Sequence, residues 1–369
     1  MKEHIFDILG IGSREDSYTN LIAYAFKHFP EFKQNILTKL GEQDYGDWKV
    51  CIRPQIPIKS GRGRKKDVPD LILFSKEKQK VILIENKLFS LEGWEQTERY
   101  ASDEFKRGLI NFLNFDTTPE IKYFFLTLDD AKPCSPSFKT LSYSEISECI
   151  PNDLNNSKLD ILLKELKERI DEYYNLQPPE ENEIVLDYSI KNVSGLVNEY
   201  RTFKILTDNL LDRQFLKEYG ITGNKGNFYI PYCSWYKEKW RGKEYPKEKD
   251  VSKCFDIHFE LQWDTREEQE NLTLFLHYHT YPYMTQKELK EVEEYFVEKY
   301  QKARDKFYNY IKEQSPPEWN IRKAFLRIAY YTFDKEIQFG ELKEKVNTLI
   351  ENMTNVIDVY LNGIADNTA

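Results

Sequence analysis

VPDLILFSKEKQKVILIENK, residues 68–87, is the stretch that decides how this chain reads. Two apolar runs flank the polar segment SKEKQ, which is the pattern of a β-hairpin. A turn centred on Glu77 and Lys78 pairs Phe74 with Val81, Ile72 with Leu83 and Asp70 with Glu85. Directly opposed residues share a face, with Cβ atoms roughly 4.5–5.5 Å apart. The strand period of two adds Lys87 to that face. A slip of one residue would flip the parity, so everything that follows rests on this register. In this register two carboxylates and one ammonium converge where the apolar sheet ends.

Opposed carboxylates repel unless something positive lies between them. Lysine alone can serve. A divalent cation serves better, because oxygen ligands suit Mg²⁺, which takes one or two carboxylates and completes its shell with water and phosphate oxygens. Phosphodiester hydrolysis uses the same parts: a metal polarises the phosphoryl group and acidifies water, while a lysine orients that water or offsets developing charge. Taken as a dipeptide, Glu85 and Lys87 also fit a plain strand-end ion pair worth about 0–1 kcal/mol.

At 369 residues the chain is long for one domain, and two are expected. Hydrophobic and aromatic contents of 40% and 15% are enough to build cores and argue against global disorder. A net charge of −9 argues against a surface coated with nucleic-acid-binding residues. It leaves room for a local basic patch, because salt confines the field to about 10 Å. Five widely spaced cysteines without a C-x-x-C pair suggest reduced, cytoplasmic usage. The opening MKEHIFDILG carries Glu3 and Asp7, which does not suit a signal peptide. No apolar run approaches the roughly 20 residues of a membrane span. The expectation is a soluble, cytoplasmic protein with no membrane partner.

The segment NLQPPEENE, residues 175–183, places two prolines and a run of acids after a helical pattern. It divides the chain into a first domain of residues 1–176, a linker of 177–183 and a second domain of 184–369. Helical and strand patterns alternate in the first part. REDSYTNLIAYAFKHF, EFKQNILTKL, one long helix over LEGWEQTERYASDEFKRGLINFL, and KLDILLKELKERIDEYY read as helices. WKVCIRPQIPIK, the two arms of the hairpin, IKYFFLTL and a short segment near FKTLSY read as strands. This predicts an α/β domain with a small mixed sheet flanked by helices. The second part predicts an α+β domain. It has a helical stretch to about Tyr219, strands NFYIPY, CFDIHFELQW and NLTLFLHYH, a charged helix from Thr285 to Glu313, strand FLRIAYYTF and a last helix.

Pro69–Asp70 followed by Glu85-Asn86-Lys87 resembles the PD-(D/E)XK nuclease superfamily, which includes many restriction endonucleases and Holliday-junction resolvases. Two further elements resemble a largely uncharacterised bacterial group within it. One is the helix RED-x-x-x-N-L-I-A, Arg14 to Ala23; the other is Q-x-x-x-Y, Gln96 and Tyr100, after the lysine strand. The resemblance covers about residues 10–130. It implies a restriction-endonuclease-like core in which Asp70 and Glu85 ligate Mg²⁺, or Mn²⁺ in its place, together with the backbone carbonyl of Asn86. Lys87 would assist the nucleophilic water, Glu15 would lie beside the metal, and Gln96 would border the active site. Helical spacing independently puts Glu15 on the face of Ile22 and Phe26, where an acid wants a cation or a donor. An early-turn acid favoured by the helix dipole is the plainer account of Glu15, and ordinary amphipathic positions are the plainer account of Gln96 and Tyr100.

Weaker signals surround this set. KSGRGRKKD brings Lys59, Arg62, Arg64, Lys65 and Lys66 just ahead of Asp70, where a phosphate backbone would meet them first. Tyr100 is grouped with Arg62, Arg64, Lys65 and Lys66 as a nucleic-acid contact. SWYKEKWRGKEYPKEK interleaves Trp235, Tyr236, Trp240 and Tyr245 with Lys237, Lys239, Arg241 and Lys243. It reads as a base-stacking surface or, more commonly, as a mixed-charge hairpin loop. His277 and His279 share a strand face near His258, with no obvious acid or cysteine to complete a metal site. No P-loop, dinucleotide fingerprint or Ser-His-Asp order is seen. The leading expectation is a Mg²⁺-dependent nuclease with DNA favoured over RNA as partner, and phage defence is a compatible role. A homodimer or an accessory protein is also compatible with the resemblance. The competing expectations are a catalytically silent binding module on the same fold and an RNA-directed nuclease.

Overall fold

The computed structural model describes residues 5–12, 14–58, 66–88, 92–93, 95–129, 131–152, 158–211, 214–224, 228–244, 253–264, 271–285, 287–288, 294–324 and 326–366. The chain divides into two compact units, residues 1–175 with 194–196, and residues 176–193 with 197–369. Residues 177–183, expected as a linker, are bonded into the second unit. Gly340 N–H donates to Glu181 O at 2.8 Å, Phe339 N–H to Glu183 O at 3.0 Å and the Tyr188 hydroxyl to Gln177 O at 2.6 Å. Prolines end the preceding helix here, but the backbone beyond them finds partners instead of staying solvated. Among the described residues no helix is long and apolar enough to cross a membrane.

The first unit is built on a mixed five-stranded sheet in the order β1 (Lys49–Ile52), β4 (Leu71–Ser75), β5 (Lys80–Lys87), β6 (Glu120–Thr127), β7 (Phe138–Ser142). Strands β1, β4 and β5 pair antiparallel, whereas β5, β6 and β7 run parallel. A two-stranded ribbon, β2 (Ile56–Pro57) with β3 (Lys66–Asp67), lies apart from this sheet. The strand expected over WKVCIRPQIPIK is therefore two strands, interrupted at Arg53 with φ 43°. One face of the sheet, including Ile72, Phe74, Val81, Leu83 and Phe125, packs on Tyr100, Phe105 and Leu109. These last belong to α4 (Gln96–Ala101) and α5 (Asp103–Leu113), which replace the single long helix expected there. Ser102 makes the break: it is extended, with ψ 152°, and its Oγ accepts from Phe105 N–H at 3.2 Å, so it ends one helix and caps the next. Helices α2 (Glu15–His28), α3 (Pro30–Lys39), α6 (Tyr143–Cys149) and α7 (Lys158–Asn175) complete the unit, with a short α1 (Ile5–Ile8) before them. The reciprocal Ser142–Glu145 capping box starts α6 directly at the end of β7.

The second unit has a six-stranded antiparallel sheet in the order β12 (Asn320–Ile321), β13 (Arg327–Thr332), β11 (Asn271–Thr280), β10 (Phe255–Asp264), β9 (Phe228–Tyr236), β8 (Leu216–Asn224). Helices α8 (Val185–Asn192) and α9 (Glu199–Asp208) precede it, α10 (Glu294–Gln314) lies between β11 and β12, and α11 (Phe339–Asp366) follows the last strand. Ile257, Phe259 and Leu261 of β10 join Leu274, Leu276, Phe307, Leu342 and Ile357 in one buried core. Strand β8 corrects the expectation of helix to about Tyr219. Its backbone is paired along its length with β9, from Leu216 opposite Tyr236 to Asn224 opposite Phe228, and pairing overrides a helical propensity.

Candidate active site

The register of the hairpin is the one on which the sequence reading rests: Phe74 lies opposite Val81, Ile72 opposite Leu83 and Leu71 opposite Ile84. The next pair outward is Asp70 and Glu85. Asp70 stands one residue before β4, and its carboxylate Oδ2 accepts a hydrogen bond from Asn86 N–H at 2.9 Å. Glu85 and Lys87 continue the face of Val81 and Leu83 beyond the apolar part of the sheet. The Lys87 ammonium lies 2.7 Å from Glu85 Oε1 and 3.7 Å from Glu15 Oε1. Glu15 reaches it from the first turn of α2 and is held by Leu88 N–H, which donates to its Oε2 at 2.9 Å. Four residues, from α2, β5 and the position just before β4, thus meet at one end of the sheet.

Burial makes this cluster unusual. Glu85, Lys87 and Asp70 are only 1%, 8% and 9% exposed. Glu85 Oε2 is buried and no N–H or O–H donor reaches it, and the Asp70 carboxyl is the neighbour with which Glu85 would share a proton. Burial, then the charge of Asp70, push the Glu85 carboxyl up to about 8, against the partial relief that Lys87 supplies. Burial likewise raises Asp70, opposed by the Asn86 N–H and by Lys87. At Lys87 burial works against the charge, but Glu85, Glu15 and Asp70 outweigh it and hold the ammonium above its ordinary value. Three carboxylates around one ammonium leave a deficit of positive charge that protons fill when no cation does.

The other expected residues divide by burial. Asn86 points its side chain to the opposite face, where Nδ2 donates to Thr19 Oγ1 at 2.9 Å and Oδ1 accepts from the Tyr143 hydroxyl at 2.8 Å. Gln96 donates to the Tyr100 hydroxyl at 3.0 Å, and that hydroxyl donates to Val68 O at 3.0 Å. Tyr100, expected as a nucleic-acid contact, is 1% exposed and packs in the core. Its position one helical turn from Gln96 aims it at the sheet, so it braces the site from inside. Lys66 is exposed on β3 and donates to Gln55 Oε1 at 2.7 Å. Arg62, Arg64 and Lys65 lie outside the described residues.

Two weaker readings change. Trp235 and Trp240 are fully buried, and Trp240 Nε1–H donates to Asp358 Oδ1 at 2.7 Å, so neither indole offers a stacking face. The three histidines do have acids beside them: Asp256 and Glu260 flank His258 on β10. The alternation D-x-H-x-E in FDIHFELQW was the signal for these two residues, since a period of two puts all three on one face.

For Mg²⁺, the donor set Asp70, Glu85 and Glu15 has the right chemistry: carboxylate oxygens only, one of them buried without a donor. The three do not form a ready-made cluster. Among the described residues, groups of three ligand atoms within 4.8 Å of one another occur on β10 and β11. A two-carboxylate ion with water in its remaining positions is the mode that fits. No family model matches the chain, and neither does any curated protein or any solved structure.

Proposed function

We propose that the first unit is a Mg²⁺-dependent nuclease of the PD-(D/E)XK type that hydrolyses phosphodiester bonds, with DNA favoured over RNA. The observation that carries this reading is the Lys87 ammonium set between Glu85 and Glu15, with Asp70 at the same sheet end and one Glu85 oxygen buried without a donor. Asp70 and Glu85 would hold the ion, with Glu15 and the Asn86 carbonyl as further oxygen donors. Bound there, Mg²⁺ supplies Lewis-acid polarisation of a phosphoryl oxygen and a more acidic water. Lys87 then has two tasks: it positions the attacking water, and it offsets the charge that grows on the phosphoryl oxygens as the bond to the leaving oxygen breaks. Asn86 N–H and Leu88 N–H keep Asp70 and Glu15 from turning away. Lys66 offers positive charge to an approaching backbone. The second unit would serve substrate choice or partner contact.

Cleavage of supercoiled plasmid, linear duplex, single-stranded DNA and RNA tests the reading, with wild type and Lys87→Ala side by side in Mg²⁺, Mn²⁺ or EDTA. Metal-dependent cutting that the variant loses supports it, and the preferred substrate decides between DNA and RNA. Cutting by Lys87→Ala at the wild-type rate overturns the assignment. Absence of cutting together with absence of Mg²⁺ binding points to a binding module.

A further inference from the structure

On the second unit's sheet, the face turned away from the hydrophobic core carries a buried polar cluster. Along β10 the residues Asp256, His258, Glu260 and Gln262 alternate with Ile257, Phe259, Leu261 and Trp263 of the core. His258 lies directly opposite His277 of β11, and Asp256 opposite His279. Directly opposed residues share a face, so two strands bring three imidazoles and two carboxylates together. His258, His277 and Glu260 are 7%, 5% and 9% exposed, yet they line a cavity of about 530 Å³. Tyr232, Tyr281, Arg241 and Arg327 border the same cavity. An apolar floor would be the ordinary lining for a pocket of this size.

We propose that this cluster is a transition-metal site, with Zn²⁺ its foremost occupant, in which His258, His277 and Glu260 are the ligands and the fourth position faces the cavity. The ligand atoms of these three residues lie within 4.8 Å of one another. Glu260 Oε2 is 3.8 Å from His258 Nε2, and Glu260 Oε1 is 3.7 Å from His277 Nε2. These separations are too long for hydrogen bonds. A tetrahedral centre with bonds of roughly 2.0–2.1 Å sets its ligand atoms about 3.3–3.4 Å apart, so closing the site draws the imidazoles and one Glu260 oxygen together from within 4.8 Å. His277 Nε2 is buried and has no hydrogen-bond partner. The tautomer of His258 is set for ligation: its Nδ1 lies 3.1 Å from Asp256 Oδ1, which leaves Nε2 facing Glu260 and His277. Asp256 is anchored in turn by Arg241 Nε at 2.7 Å, a carboxylate–histidine relay of the sort that orients metal ligands. Asp256, His258 and His279 form a second close trio, but Arg241 and His258 hold both Asp256 oxygens, whereas Glu260 gives Oε1 to Gln262 Nε2 at 2.5 Å and its Oε2 has only a long 3.5 Å contact from Ser234 Oγ. Two imidazoles with one carboxylate favour Zn²⁺ and its neighbours over Mg²⁺. Three protein ligands with an open position are the arrangement of reactive zinc centres, not of structural ones.

Without a metal the same atoms hold a proton. Burial disfavours an imidazolium at His258, but the hydrogen bond to Asp256 and the nearby negative charges of Asp256 and Glu260 outweigh it and hold the ring's pKa at about 9. A metal has to displace that proton, and the experiment separates the two states. Chelator-treated full-length protein is titrated with ZnCl₂ by calorimetry, and Co²⁺ is added in parallel to read the visible bands of a tetrahedral centre. The expected result is one Zn²⁺ per chain. Asp256→Asn binds roughly ten- to a hundredfold more weakly, and the loss is greater for His277→Gln and Glu260→Gln. Circular dichroism confirms that each variant is folded, and His277→Cys, a substitute ligand, restores binding if His277→Gln is lost to misfolding. Lys139→Ala, at an exposed position of β7 in the other unit, leaves Zn²⁺ binding unchanged. Stoichiometric binding that none of the β10 and β11 variants weakens overturns the site. So does absence of Zn²⁺ binding, which would make the cluster a proton-held ion pair.

Discussion

If the first unit holds Mg²⁺ as proposed, its affinity for the ion should rise with pH, by an amount that Glu85 sets. A carboxylate must be ionised to bind a metal, so proton and metal compete for it. Burial and the neighbouring Asp70 charge raise Glu85 from 4.5 to about 8. The sign follows directly: the protonated form dominates below that value, and affinity climbs as pH rises through it. At about pH 7 roughly nine-tenths of Glu85 carries a proton, and Mg²⁺ affinity is held about tenfold below its limit, or ~1.4 kcal/mol. At about pH 9 the competition is nearly gone. Proton release on binding should therefore fall from roughly 0.9 per ion to roughly 0.1 over that interval. The upward shift of Asp70 acts in the same direction. Calorimetric titration with MgCl₂ in two buffers of different ionisation enthalpy counts these protons. Glu85→Gln, which has no proton to lose, should bind more weakly and with no such dependence. Tight binding whose affinity is flat from about pH 7 to about pH 9, with no proton released, would refute the electrostatic account of the cluster.

Three further outcomes concern the framework around the two sites. Tyr143→Phe strips the buried Asn86 Oδ1 of its donor and should cost about 1–3 kcal/mol, read as faster hydrogen exchange across β5 and α6. Ser142→Ala removes the acceptor half of the capping box that starts α6 and should cost about 1 kcal/mol in chemical denaturation. Asp358→Ala leaves the buried Trp240 N–H without its acceptor and frees Lys237 and Lys239. A loss of about 1–3 kcal/mol is expected, seen as an earlier tryptophan-fluorescence transition.

By itself, the sequence determined the hairpin and the acidic–basic set at its end. Apolar alternation around SKEKQ specifies a turn, the turn specifies the register from Ser75–Lys80 to Leu71–Ile84, and continuing that register brings Asp70 to Glu85. These are local relations, carried by a period of two and a few intervening residues. Tertiary structure alone decided what lies far apart in the chain. It brought Glu15 to Lys87 across more than seventy positions, and it turned Tyr100 from an expected ligand contact into a core residue. It also buried Trp235 and Trp240, because an aromatic flanked by lysines reads the same in sequence whether its ring faces solvent or a core. Strand β8 likewise depended on a partner outside the segment, β9, whereas the break at Ser102 is local, a serine side chain capping Phe105 N–H three residues on. In the second unit the pattern D-x-H-x-E was present in one strand and H-x-H in the next. Which residue of one lies opposite which of the other is set by strand pairing, and only that pairing puts Glu260 between His258 and His277.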